Sequence, residues 1–169
     1  MKPKDFIQKY LPEAQSNSFG LDPYIVLTQA ALESGWGEHA PGFAFFGVKD
    51  TDGVNGNEQL LSTTEISRYA NLPPEKVGLV IIDRIEPTTI NGQKYFVYHG
   101  KGYFIKYNSA KECFDDHINF FLTNGRYAKA WTHRGDAETF FKEIAEAGYA
   151  TAPNYAQSLI DTYHAIKKL

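Results

Sequence analysis

Cysteine is nearly absent from this 169-residue chain. Cys113 stands alone, so no disulfide can form within the chain, and the redox compartment is left open. A basic excess is also missing. The 17 Lys and Arg face 20 Asp and Glu for a net charge of −3, which argues against nucleic acid as a partner. No apolar run reaches the roughly 18 residues of a membrane span. The start, Met1-Lys2-Pro3-Lys4-Asp5-Phe6, enters a helical pattern with no signal-peptide core. Action outside the cytoplasm would therefore need a leader already removed, a dedicated export route or lysis. The histidines, at 39, 99, 117, 133 and 164, offer no closely spaced metal-ligand pair. Repeats, linkers and low-complexity tracts are lacking as well.

What is present suits one domain with a real core, spanning 1–169. The hydrophobic fraction of 43% and charged fraction of 22% are ordinary for a folded protein. Aromatics reach 15%, with 11 Tyr and 12 Phe. A Phe-rich core accounts for most of them, and the surplus suggests stacking surfaces for ring-shaped ligands such as sugars.

Helical periodicity runs over about residues 4–18, with Phe6, Ile7, Tyr10 and Leu11 on one face. Asp22-Pro23 supplies an N-cap followed by proline, and the helix it opens ends at Gly35. Residues 35–62 read as loop. A small antiparallel sheet follows, with Asn91-Gly92 as a two-residue hairpin and Gly100-Lys101-Gly102 as a second turn. Ser109-Ala110-Lys111-Glu112 forms a capping box for a helix reaching about Thr123. Asp136 caps another helix ending at Gly148, and a last helix covers about residues 154–168. The expected class is α+β: a helical lobe and a β-rich insert at about 63–107, flanking a cleft where a ligand would bind.

Glu33 is the leading candidate for chemistry. At 100° per residue it lies within about 60° of Val26, Gln29 and Ala30 on the helical wheel, on the apolar stripe rather than opposite it. Burial and the carbonyls of the helix end would raise its pKa, as a general acid requires. Glycoside hydrolysis ordinarily adds a second carboxylate or a substrate acetamido group. Glu58, Glu65, Asp83 and Glu86 are the choices, with Glu65 only modestly ahead. Trp36, Phe43, Phe45, Phe46, Tyr127, Trp131, Tyr149 and Tyr155 are the aromatics near the expected cleft. Trp36 could wall the Glu33 pocket or stack on a sugar. Cys113 and His117 share one helix face but sit among Phe114, Ile118 and Phe121, so a small core thiol is the better reading than a nucleophile. The acidic stretch from Asp50 to Glu58 fails the calcium-loop pattern at its fifth, sixth and twelfth positions, which hold Val54, Asn55 and Leu61.

The motifs Ala31-Leu32-Glu33-Ser34-Gly35-Trp36-Gly37, Phe46-Gly47-Val48-Lys49, Thr63-Thr64-Glu65, Arg126-Tyr127 and Ala147-Gly148-Tyr149-Ala150-Thr151 together resemble the bacterial glucosaminidases of glycoside hydrolase family 73. The resemblance covers nearly the whole chain. It implies a lysozyme-like fold and cleavage of the peptidoglycan β-1,4 bond between N-acetylglucosamine and N-acetylmuramic acid, outside the cytoplasm and with no cofactor or metal. It implies Glu33 as general acid and Glu65 as second carboxylate, with Tyr149 lining the site and Asp116 at a recurrent acidic position. Trp36, Phe46 and Tyr127 complete the expected substrate-binding set. Ala44 replaces the family's usual Asn, Ile105 its usual Arg, and segment 66–98 is longer than the usual hairpin. A lytic transglycosylase, a muramidase and a non-catalytic wall-binding module are the alternatives.

Overall fold

The computed structural model describes residues 1–52 and 54–169, so Gly53 of the acidic stretch lies outside the described residues. These residues form two compact units, one of Met1–Phe46 with Tyr107–Leu169 and one of Gly47–Lys106.

The first unit is helical: α1 (Pro3–Gln15), α2 (Pro23–Glu33), α3 (Ala110–Thr123), α4 (Ala128–Thr132), α5 (Ala137–Glu146) and α6 (Tyr155–Lys167). At its centre is α2, packed against α1, α3, α5 and α6. Every residue from Ile25 to Ala31 is buried, so this helix is covered on all sides rather than along one stripe. Asp22 caps it by accepting from the Tyr24 N–H at 2.9 Å, with Pro23 in the first turn. Around it, α1 contributes Phe6, Tyr10 and Ala14 at four-residue spacing, and α3 and α5 contribute a row of buried phenylalanines. Ser109 accepts from the Glu112 N–H to start α3, while the Glu112 carboxylate reaches back to the N–H of Asn108. Asn124 and Gly125 close α3 as their chemistry suggests, and a short 3-10 turn over Gly125–Tyr127 leads into α4.

The second unit is an antiparallel sheet of β1 (Glu58–Ser67), β2 (Ile81–Ile90) and β3 (Gln93–Ile105), in the order β1-β3-β2. The sheet begins earlier than expected, because Glu58 to Ser62 pair with β3 instead of remaining loop. Asn91 and Gly92 both have positive φ and close the β2–β3 hairpin, as their chemistry predicts. The second expected turn does not exist. Gly100 and Gly102 lie inside β3, and their reason is space rather than bending. A Cβ at Gly100 would sit 2.0 Å from the Ile81 carbonyl oxygen, and one at Gly102 would sit 2.9 Å from Lys49 Nζ. Tyr98 anchors this unit. It is fully buried, donates to the Tyr69 carbonyl at 2.6 Å and accepts from the Leu72 N–H at 3.1 Å.

Among the described residues no helix is long and apolar enough to cross a membrane, and no group of three His, Cys, Asp or Glu side chains could hold a metal ion.

Candidate active site

Glu33 is the last residue of α2, and the five residues after Leu32 build a compact helix stop. Ser34, fully buried, donates its hydroxyl to the Ala30 carbonyl at 2.5 Å and accepts from the Gly37 N–H at 2.8 Å. Gly35 takes φ +58°, and Trp36 follows at φ +59°, where a bulky side chain is strained. The Trp36 N–H closes the turn on the Ala31 carbonyl at 2.8 Å. The glycine gives the chain its reversal directly after the carboxylate, and Trp36 is turned so that its ring meets Phe6 edge-on at 5.7 Å.

The expected burial of Glu33 is not observed. Val26, Gln29 and Ala30 are buried, as the helical wheel implies, but Glu33 is exposed because no further helical turn covers it. It is nevertheless held. The Tyr155 hydroxyl, from the first turn of α6, donates to Glu33 Oε1 at 2.8 Å. Behind Tyr155 the hydrogen bonding continues inward. Gln29 Nε2 is 3.4 Å from the Tyr155 hydroxyl, and Gln29 Oε1 is 3.1 Å from His117 Nε2. Phe46 lies flat on the His117 ring, with centroids 3.6 Å apart and planes 8° apart. Burial alone pushes the His117 imidazole down to about 3, so the ring is neutral.

Tyr149 is placed by the end of α5. Gly148 at φ +86° carries the chain round, with its N–H on the Ala145 carbonyl and the Tyr149 N–H on the Ile144 carbonyl, both at 3.0 Å. The Tyr149 ring stacks on Tyr155 at 5.5 Å and 25°. Burial, followed by the charge of Glu33, pushes the Tyr149 phenol above its usual range. Tyr127 backs Tyr149 at 6.2 Å and is only 3% exposed, so it presents almost no surface to a substrate. Phe46, Tyr127, Tyr149 and Glu33 thus share one connected cluster, organised by Tyr155 and His117. Asp116 stands apart from that chain of bonds, exposed and accepting from the Tyr107 hydroxyl at 2.6 Å. Cys113 is buried, and that burial pushes its thiol up to about 12, which removes it as a nucleophile.

Glu65 belongs to the sheet unit. It sits in β1 opposite Tyr98, and its Oε1 is 2.8 Å from Lys49 Nζ. The lysine reaches it over Gly102, also lies above the Phe104 ring at 4.5 Å, and donates to the Gly78 carbonyl at 3.2 Å. The other candidate carboxylates have different surroundings. Glu58 accepts from the Gly56 N–H, Asp83 occupies the irregularity in β2, and Glu86 is held below the usual carboxylate range by Arg84 and then His99. In the Asp50–Glu58 stretch, Asp52 accepts from the Val54 N–H and from Asn57, and the Asp50 N–H donates to the Tyr103 carbonyl at 3.1 Å.

Sequence reasoning gave no role to Gln29, His117 or Tyr155 in holding Glu33. Gln29 was visible only as a stripe neighbour, His117 only beside Cys113, and Tyr155 only among the aromatics. The signal was a glutamine inside the most apolar helix of the chain, which must find a buried partner.

The family model described as mannosyl-glycoprotein endo-beta-N-acetylglucosaminidase matches residues 10–168. The chain is similar to the peptidoglycan hydrolase FlgJ of Vibrio parahaemolyticus, at 27% identity over 99% of this chain and 48% of that protein. It is also similar to the FlgJ of Salmonella typhimurium, at 31% identity over 98% of this chain and 47% of that protein. It therefore spans about half the length of these curated relatives. In three dimensions it resembles the C-terminally truncated glycoside hydrolase domain of the Salmonella protein, with a TM-score of 0.69, 29% identity and 99% of both chains covered. The fold is lysozyme-like α+β, and the chain belongs to the glucosaminidase family of glycoside hydrolases.

Proposed function

We propose that this chain acts as one glucosaminidase-like domain that hydrolyses peptidoglycan glycan strands, in the periplasm or cell wall. The bond cut is the β-1,4 linkage joining N-acetylglucosamine to N-acetylmuramic acid, with cleavage inside the strand. The observation that carries this reading is Glu33 itself, an exposed carboxyl fixed at a helix end by a tyrosine hydroxyl and flanked by Tyr149.

In the proposed reaction Glu33 gives its proton to the glycosidic oxygen as the C–O bond breaks, and the leaving sugar departs as an alcohol. Positive charge gathers on the N-acetylglucosamine ring. It is met by Glu65 or by the substrate's own acetamido oxygen, after which water adds and the proton returns to Glu33. The ion pair with Lys49 suits Glu65 to an anionic part, as base or stabiliser. Tyr149, Trp36 and Phe46 would shape the sugar pocket, with Tyr127 supporting Tyr149 and Asp116 available as a polar contact.

The test is mass spectrometry of products released from purified peptidoglycan, with borohydride reduction marking the new ends. Reducing N-acetylglucosamine ends support the proposal. Reducing muramic ends would make the protein a muramidase, and 1,6-anhydro ends a lytic transglycosylase. Saturable binding to sacculi without any product would leave a wall-binding module.

A further inference from the structure

We propose that Gln29 and His117 are positioning residues for Glu33, acting through Tyr155 so that the catalytic proton resides on Glu33 Oε2. This rests on the reading of Glu33 as general acid.

The argument is one of donors and acceptors. Three helices contribute one member each: Gln29 from α2, His117 from α3 and Tyr155 from the start of α6. Gln29 is fully buried, His117 is 6% exposed and Tyr155 is 7% exposed, so water cannot complete their hydrogen bonding and the protein must do so. A glutamine amide has two unlike ends, and its orientation decides what its neighbours can do. Gln29 Oε1 faces His117 Nε2, and Gln29 Nε2 faces the Tyr155 oxygen. His117 must therefore carry its single proton on Nε2 and donate it to Gln29. Gln29 in turn donates to Tyr155. With its lone pairs facing the Gln29 amide and the neighbouring Tyr149 hydroxyl, Tyr155 gives its one hydroxyl proton to Glu33 Oε1 at 2.8 Å. Every donor along the chain points toward the carboxyl.

Two consequences follow for the reaction. Oε1 is committed as an acceptor, so the transferable proton sits on Oε2. When that proton leaves, Glu33 becomes an anion, and a neutral hydrogen bond from Tyr155 becomes a charge-assisted one. The gain appears only as the glycosidic bond breaks, so it belongs to kcat rather than to substrate binding. Phe46 fixes the plane of the imidazole by stacking on it, and Phe121 meets the ring edge at 4.8 Å, so His117 has one orientation to offer.

The experiment measures kcat and KM on soluble, uncross-linked peptidoglycan strands for four variants, with near-UV circular dichroism as the check on folding. Tyr155→Phe removes the hydroxyl and is expected to lower kcat about tenfold or more, with KM changed less than about twofold. His117→Phe keeps a flat ring on Phe46 but loses the donor, and is expected to lower kcat about threefold to tenfold at unchanged KM. His117→Gln restores a donor near the Nε2 position and is expected to recover kcat to within about twofold of the parent. Glu33→Gln separates the two claims. Loss of turnover in Glu33→Gln alongside full activity in folded His117→Phe overturns the positioning role alone. Equal losses in His117→Phe and His117→Gln overturn it too, because packing rather than donation would then be at work. Undiminished turnover in Glu33→Gln overturns the acid reading on which the proposal stands.

Discussion

His117 makes acid stability a direct readout of the buried network. Its imidazole is pushed down to about 3 from an ordinary 6.5, and the cause is burial alone. The groups packed against it are Phe46, Phe120, Phe121, Tyr149 and the Gln29 amide, none of them a charged partner. The folded protein therefore declines a proton that the unfolded chain accepts once the pH drops below 6.5. Stability is unaffected above that value, falls as pH decreases toward about 3, and falls no further from this source below it. The slope is roughly 1.4 kcal/mol per pH unit, so the loss between about pH 6.5 and pH 4 is about 3 kcal/mol. Urea unfolding of the parent and of His117→Gln at about pH 7 and about pH 4 isolates this contribution, since the other titrating groups are common to both. The variant should start less stable at neutral pH yet lose about 3 kcal/mol less on acidification. Parallel declines in the two proteins would refute the assignment of a neutral, fully desolvated imidazole.

Three further outcomes are expected. Gly100→Ala forces a methyl group against the Ile81 carbonyl and should cost about 2 kcal/mol or more, seen as a lowered melting temperature; an unchanged one would mean that β2 can move aside. Cys113 should resist a thiol reagent at neutral pH until denaturant is added, and rapid labelling of the native protein would contradict its burial. Lys49→Met removes the ammonium beside Glu65 while keeping a chain over Phe104, and should reduce turnover with little change in stability; full activity would count against a role for the Lys49–Glu65 pair.

Local chemistry was legible in the sequence wherever a backbone group needs a particular neighbour. Asp22-Pro23, Ser109 and Asp136 cap the helices they were expected to cap, and Asn91-Gly92 turns the hairpin. Glycine was less informative. At Gly35 and Gly148 it supplies positive φ, while at Gly100 and Gly102 it supplies room, and only the partner strand and Lys49 distinguish the two uses. The start of β1 was missed because the turn-like Asp- and Asn-rich stretch ahead of Glu58 hides the four residues that open the strand, Glu58-Gln59-Leu60-Leu61, which pair with β3. For the candidate site, the motif around Glu33 located the carboxyl and the sharp stop after it. Its exposure was misjudged because a helical wheel treats the last residue as though another turn followed. The hydrogen-bond chain behind it could not be read, since it joins Gln29 to His117 across 88 positions and Tyr155 to Glu33 across 122.

The most direct test of the central claim is turnover of purified peptidoglycan by Glu33→Gln. Glutamine keeps the size of the side chain and an oxygen that accepts from Tyr155, so the melting temperature should hold. Loss of the transferable proton should lower kcat by about a hundredfold or more. Near-parental release of soluble glycan fragments by the folded variant would contradict Glu33 as the proton donor.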